Sequence, residues 1–136
     1  MKPPLLLDTH VWLWWLLGQP QLAPRERDAL DGLAAAGTPP GLSVISLWEA
    51  QMLAARGRLS VSEPLTHWLP TAAASEAVTL LSLDVAVILA LDDLPRGFHG
   101  DPADRIIVAT ARAHDLPLAT RDSGIRRSRA VKIWHP

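Results

Sequence analysis

The 136-residue sequence contains no cysteine, which excludes disulfide bonds, thiolate metal sites and thiol catalysis together. It also lacks a long hydrophobic run. The two longest, "VWLWWLL" and "VAVILAL", have seven residues each, whereas about 20 are needed to span a bilayer. The opening "MKPPLLLDTH" has neither the apolar stretch nor the cleavage site of a signal peptide. We therefore expect a cytoplasmic protein without a membrane partner.

Positive and negative side chains nearly cancel, with a net charge of −1, but they are unevenly distributed along the chain. Residues 1–106 carry seven Lys/Arg and twelve Asp/Glu, a balance of −5, whereas residues 107–136 carry six and two, a balance of +4. A basic end of this kind is either a phosphate-binding edge or a solvated helix face. Charge alone favours the solvated face.

Apolar runs and helical patterns alternate along the chain. Hydrophobic residues make up 49%, enough for one conventional core, and we expect a single domain over residues 1–136. The predicted strands are "PLLLD", "LSVI", "VTLLSL", "LPLAT" and "AVKIW". Strands that alternate with helices indicate an α/β fold in which helices cover both faces of a mainly parallel central sheet.

Several acidic residues fall at the ends of predicted strands. Asp8 ends the first strand and Asp122 follows "LPLAT". Glu49 is predicted in the first turn of the helix after "LSVI", and Asp101 and Asp104 open the helix before "LPLAT". Ligands of open α/β sheets bind beyond the carboxyl ends of the strands. The acids therefore point to a site at that edge.

Carboxylates that meet in one pocket repel each other, and partial burial adds to the cost unless cations neutralise them. Oxygen-only ligands suit Mg²⁺ or Mn²⁺, ions that can hold a phosphate oxygen and lower the pKa of a water. Such chemistry needs no nucleophilic side chain. None is evident, because the serines near histidines show no triad-like pattern.

Helix capping is the competing interpretation of each acid. Asp8, Asp101 and Asp122 each precede a predicted helix, and "SLWE" at 46–49 has the form of a capping box. Taken singly, each acid fits a cap better than a ligand. Capping does not explain why so many acids gather at strand ends.

Three segments, in this order, carry a family resemblance: "LLLDTHVWLWWL", "SVISLWEAQMLAARGRL" and "DPADRIIVATARAHDLPLATRD". The sequence resembles the PIN-domain ribonucleases, and among them the VapC toxins of bacterial toxin–antitoxin pairs, nearly from end to end. The resemblance implies a three-layer α/β/α sandwich and an endoribonuclease that hydrolyses RNA with Mg²⁺ or Mn²⁺. The catalytic and metal-binding residues that it implies are Asp8, Glu49, Asp104 and Asp122.

Other positions take roles from the same resemblance. Thr9 and Thr120 fall where the family often has a hydroxyl that supports the site, whereas His10 replaces the usual Asn or Ser. His99 and His10 could assist the site or be structural, and the sequence leaves open whether Asp101 assists Asp104. The candidates for phosphate contact are Arg105, Arg121, Arg126 and Arg127.

The resemblance also implies partners: an RNA substrate, a small VapB-like antitoxin that blocks the acidic pocket, and a second copy in a homodimer. Trp12 and Trp15 share one face of the first helix, whereas Trp14 points elsewhere. We interpret this helix and the apolar "LSLWEAQMLAARG" as a core or interface surface more readily than as a base-stacking one.

Two other classes of function fit the sequence less well. A non-catalytic PIN-like module that binds RNA or protein would typically have lost one of the four acids, and all four are present. A phosphotransfer or phosphatase domain of the α/β type would need a second aspartate near the first strand, which "DTH" lacks.

Overall fold

The computed structural model describes residues 2–136, and a parallel sheet lies at its centre. The strands are β1 (Leu6–Leu7), β2 (Gly41–Ser43), β3 (Thr79–Leu81) and β4 (Leu118–Ala119). They are ordered β3-β2-β1-β4 and all pair in parallel. Leu6 lies opposite Gly41 on one side and Leu118 on the other. The unbroken leucine run places β1 inside the sheet, where it is buried on both faces.

Helices cover both faces of this sheet. They are α1 (Thr9–Leu17), α2 (Pro24–Ala35), α3 (Val44–Ala55), α4 (Leu65–Ala72), α5 (Val85–Asp92), α6 (Pro102–His114) and α7 (Ser123–Ser128). Alternate leucines at and just before β1 divide between two cores, with Leu5 and Leu7 in one and Leu6 in the other. The first core contains Trp12 of α1, and the second contains Ile107 of α6. The predicted three-layer α/β/α fold is confirmed.

The strands are shorter than predicted, and two of the predictions differ from the structure in kind as well. The strand in "LSVI" ends at Ser43, and Val44 and Ile45 already belong to α3, because the Ser43 hydroxyl accepts the Ile45 N–H and caps that helix. The β-branched pair had favoured a strand. The last predicted strand, "AVKIW", pairs with the sheet only at one bridge, between Leu118 and Ile133. No helix in the described range 2–136 has the length and apolar character to span a bilayer.

The strand order places a crevice beside β1. The chain runs from β1 to β2 to β3 in one direction and then returns to lay β4 on the other side of β1. Such a reversal is where open parallel sheets bind ligands, beyond the carboxyl ends of the strands. Asp8 directly follows β1, and Asp122 lies three positions after the end of β4. The topology thus brings both residues to this crevice.

Substitutions that remove buried side-chain volume from the central strands should lower the stability of the fold. Leu42 of β2 is fully buried, so Leu42→Ala is expected to lower the free energy of unfolding by about 2–5 kcal/mol. Leu80 lies on the neighbouring strand and is 41% exposed, so Leu80→Ala should cost clearly less. Urea denaturation measures both. Equal losses in the two variants would contradict the assigned burial.

Candidate active site

Asp8 is the most firmly held carboxylate at the crevice. It is 6% exposed and caps α1, with Oδ1 accepting the Thr9 backbone N–H at 2.8 Å. Its other oxygen, Oδ2, accepts the Thr120 hydroxyl at 2.6 Å. Capping and membership of the acidic site are therefore compatible, since the two bonds use different oxygens and fix the plane of the carboxylate.

Thr9 connects Asp8 to Glu49. The Thr9 hydroxyl donates to Glu49 Oε1 and lies 2.8 Å from the Ser46 hydroxyl. A threonine hydroxyl has one proton, and because that proton goes to Glu49, Ser46 must be the donor in the second bond. Glu49 lies one turn deeper in α3 than predicted, because α3 starts at Val44. Ser46 is buried in this network and does not cap the helix.

Thr120 makes the corresponding link between Asp8 and Asp122. Its hydroxyl donates to Asp8 and accepts the Asp122 backbone N–H at 3.1 Å. Asp122 caps α7 by accepting the Ile125 N–H at 2.8 Å. The expected hydroxyls, Thr9 and Thr120, thus lie on either side of Asp8 and tie three segments of the chain to it.

Asp104 enters the site from α6. Asp101 caps that helix by accepting the Asp104 N–H at 3.0 Å, with Pro102 at the first helical position. The Asp104 carboxylate is bound by His99, whose Nε2 lies 2.9 Å from Oδ2. The His99 ring also lies close to Gly124, where a Cβ would approach its Nδ1 to 3.3 Å. A glycine at this position lets the histidine reach Asp104.

These side chains line one cleft with a volume of about 400 Å³. Its walls are Asp8, His10, Trp14, Glu49, Asp101, Asp104, Arg121 and Asp122. All four predicted site residues are among them. The structure adds two residues to the predicted site. Trp14 lines the cleft, and Ser46 lies behind its wall, where it bonds Thr9. Neither could be found from spacing, since Ser46 meets Thr9 from 37 positions away.

The four candidate arginines lie in different places in the structure. Arg121 lines the cleft and pairs with Glu26, and Arg126 donates to the Thr120 carbonyl at 2.8 Å. Arg127 lines a different cavity, beside His99. Arg105 forms no ion pair with any residue in the range 2–136. Arg121 is therefore the arginine best placed for a phosphate in the cleft.

Burial and mutual repulsion disfavour the charged forms of these acids. Burial raises the pKa of Asp8 despite its bonds to Thr120 and Thr9. It also raises the pKa of Glu49, and the carboxylates of Asp8 and Asp104 raise it further. For Asp104, burial and then the Asp8 charge raise the pKa to about 6, against the hydrogen bond from His99. The cleft therefore concentrates negative charge that lacks compensation.

The donor set suits a hard cation, but the carboxylates do not close around one point. As they stand, no three His, Asp or Glu side chains within residues 2–136 lie close enough to hold one metal ion. Asp8 is held by its two bonds, Glu49 by the Thr9 hydroxyl and Asp104 by His99. An ion in the cleft would therefore need waters between itself and some of these carboxylates to complete its coordination sphere.

This fold, with an acidic cleft at the point where the strand order reverses, is the arrangement that the sequence motifs predicted for a PIN domain. The PIN domain family model matches residues 5–130. The chain therefore belongs to the PIN-domain family.

A curated relative narrows the resemblance within that family. The chain is 35% identical over 136 residues to Ribonuclease VapC22 of Mycobacterium tuberculosis (strain ATCC 25618 / H37Rv), covering 96% of this chain and 98% of the relative. The predicted resemblance to VapC-type PIN ribonucleases is confirmed.

Solved structures show the same fold. FitAcB from Neisseria gonorrhoeae has a TM-score of 0.64 and 25% identity, covering 96% of each chain. VapBC2 from Rickettsia felis, bound to a DNA fragment from its promoter, has a TM-score of 0.70. Its identity is 15%, with 95% of this chain and 96% of that chain covered, so this second likeness concerns the fold alone.

The raised pKa of Asp104 makes the stability of the metal-free protein depend on pH. Because the folded protein binds this proton more tightly than the unfolded chain, the stabilisation is full below pH 3.8 and is lost as the pH rises through about 6. In EDTA, the wild type should therefore lose about 1–3 kcal/mol relative to Asp104→Asn between low and neutral pH.

Urea denaturation across this pH range measures the difference. Asp92 at the end of α5 lies on the surface outside the cleft, so Asp92→Asn is the matched control and should keep the pH dependence of the wild type. A wild type and an Asp104→Asn variant with parallel pH profiles would rule out the raised pKa.

Proposed function

We propose that this protein is an endoribonuclease toxin that hydrolyses RNA phosphodiester bonds with Mg²⁺ or Mn²⁺ bound by Asp8, Glu49, Asp104 and Asp122. The observation that carries the proposal is the convergence of these four carboxylates, from four separate segments of the chain, on one open cleft. The 35% identity to a protein named Ribonuclease VapC22 supports the same activity.

A cation fits the electrostatics of the cleft. Carboxylate oxygens are the ligands that Mg²⁺ and Mn²⁺ prefer, and a bound cation would offset both the burial and the mutual repulsion that raise the pKa values of Asp104 and Glu49. When bound, such an ion supplies positive charge for the phosphate and lowers the pKa of a water. Thr9 and Thr120 would keep the Glu49 and Asp8 carboxylates oriented towards it.

Two further side chains would take part: Arg121 would contact the RNA, and His99 would hold a metal-binding carboxylate in position. Arg121 lines the cleft and would bind a phosphate oxygen of the strand, exchanging its pairing with Glu26 for that contact. His99 would hold the Asp104 carboxylate in position through Nε2. Asp101 lines the cleft while it caps α6, and we assign it only to the cap, which fixes the start of the helix that carries Asp104.

Protein partners follow from the relatives. The 35% identity to a protein named Ribonuclease VapC22 supports a toxin of the VapC type, whose acidic cleft a small VapB-like antitoxin would cover. A homodimer is supported by α5, on which Val85, Ile88 and Leu89 form one exposed apolar stripe. The predicted cytoplasmic location accords with such a toxin.

Asp104 and Asp101 should differ sharply in activity. Asp104→Asn is expected to lower the rate of RNA cleavage by more than ~100-fold, because it removes a ligand and not merely a group that positions one. Asp101→Asn should retain most of the activity, because asparagine caps a helix about as well as aspartate. The measurement is cleavage of a labelled RNA with Mg²⁺ or Mn²⁺ and with EDTA.

Both variants should unfold cooperatively, so circular dichroism is the control for folding. Full cleavage by Asp104→Asn, or by the wild type in EDTA, would contradict the proposal. Tight RNA binding by the wild type without cleavage in either metal would favour the non-catalytic module instead.

Metal binding has a readout that is independent of activity. An ion bound only by the folded protein raises the free energy of unfolding, by about 2.7 kcal/mol at 100 times its dissociation constant. Mg²⁺ or Mn²⁺ should therefore raise the melting temperature of the wild type and have much less effect on Asp8→Asn. A shift of the same size in both would show that the metal binds elsewhere.

A further inference from the structure

A second cavity of about 430 Å³ adjoins the acidic cleft. It lies between α1 and the end of α3 and shares two wall residues, His10 and Trp14, with the cleft. The rest of its lining is Leu13, Leu17, Gln19, Leu53, Arg58, Leu59 and Ser60. We call this cavity the leucine groove. Its volume lies within the range of about 300–1,000 Å³ that is usual for small-molecule sites.

His10 and Trp14 form an aromatic wall between the two cavities. They lie one turn apart on α1, with ring centroids 6.1 Å apart and planes inclined by 47°. His10 is exposed, whereas Trp14 is half-buried and packs against the core beneath. Trp14 therefore has a fixed ring with one part still accessible from the cleft and the groove.

We propose that the leucine groove is a subsite for one nucleobase, stacked on the aromatic wall, of a single-stranded RNA whose phosphodiester lies in the acidic cleft. This inference rests on the proposed function. A phosphate in the cleft carries its neighbouring nucleotide into the adjoining space, and that space begins at the same two residues. Nucleobases stack on aromatic side chains with little dependence on sequence.

The charge of the groove matches a nucleic acid. Arg58 and His10 are its basic groups, and its lining contains no acidic side chain, in contrast to the cleft beside it. Arg58 would supply positive charge for a phosphate of the stacked nucleotide. Only an unpaired strand offers a base face for such stacking, because the bases of a duplex are already stacked. The groove therefore selects single-stranded segments.

A second contact for the strand lies in the cleft itself. Arg121 lines the cleft as well as a separate cavity that contains Arg126. The strand would thus be held by charge at Arg121 and by stacking on the aromatic wall.

The test compares two probes with Ca²⁺ in place of Mg²⁺, so that the cleft carboxylates are neutralised, and each probe is shown to be intact after the measurement. One is a fluorescent single-stranded RNA of about ten nucleotides, and the other a ribose-phosphate strand of the same length and charge without bases. Fluorescence anisotropy gives both dissociation constants. The wild type should bind the strand with bases more tightly, and Trp14→Leu should reduce this preference by roughly 5- to 150-fold, the effect of losing one stack.

Two further variants separate stacking from packing. Trp14→Phe keeps an aromatic face and should retain most of the preference. Trp15→Leu is the matched control, because Trp15 is also half-buried on α1 and packs on the same core but lines neither cavity. It should bind both probes like the wild type. Thermal unfolding of each variant shows that it is folded.

An unchanged preference in folded Trp14→Leu overturns the proposal, as does a wild type that binds both strands equally. Either result would leave the groove as a protein-docking surface. Cleavage with Mg²⁺ is measured separately. Metal-dependent cleavage with no base preference would refute the subsite and leave the ribonuclease standing. If Trp14→Leu loses the base preference and the wild type does not cleave RNA, the subsite stands and the ribonuclease is refuted.

Discussion

Repulsion between carboxylates at the carboxyl edge of the sheet is the constraint on which the site depends. The parallel strands β1 and β4 end side by side, and α3 and α6 bring Glu49 and Asp104 to the same edge. Without a cation this arrangement costs free energy, because burial first and the neighbouring carboxylates second raise the pKa values of Asp8, Glu49 and Asp104. The two apolar cores on either face of the sheet offset that cost and hold the strand ends in place.

Helix caps are the means by which the backbone directs these acids. Asp8, Asp101 and Asp122 each cap the helix that follows them. The sequence had presented capping and ligation as alternatives. In the structure, Asp8 and Asp122 line the cleft while capping, because a carboxylate has two oxygens and a cap needs only one. Asp101 caps α6 and thereby fixes the position of Asp104, which lies three residues later and donates its backbone N–H to the cap.

Local patterns were enough to predict the parallel sheet and the position of the acids, because each acid follows an apolar run or opens a helix. They failed where distant contacts decide. Val44 and Ile45 favour a strand locally, but the Ser43 cap starts α3 before them and moves Glu49 one turn deeper. Ser46 fits a capping box in sequence and instead bonds Thr9, 37 positions away. The place of Trp14 in the cleft depends on how α1 lies against α3, which no periodicity encodes.

The central claim is that a bound cation compensates the repulsion within the acidic cleft. NMR titration of the Asp104 side-chain carboxyl, in EDTA and then in saturating Mg²⁺, tests it most directly. The account predicts a pKa of about 6 without metal and a value well below this with Mg²⁺, since a ligated carboxylate resists protonation. A pKa that is the same in both conditions would contradict it.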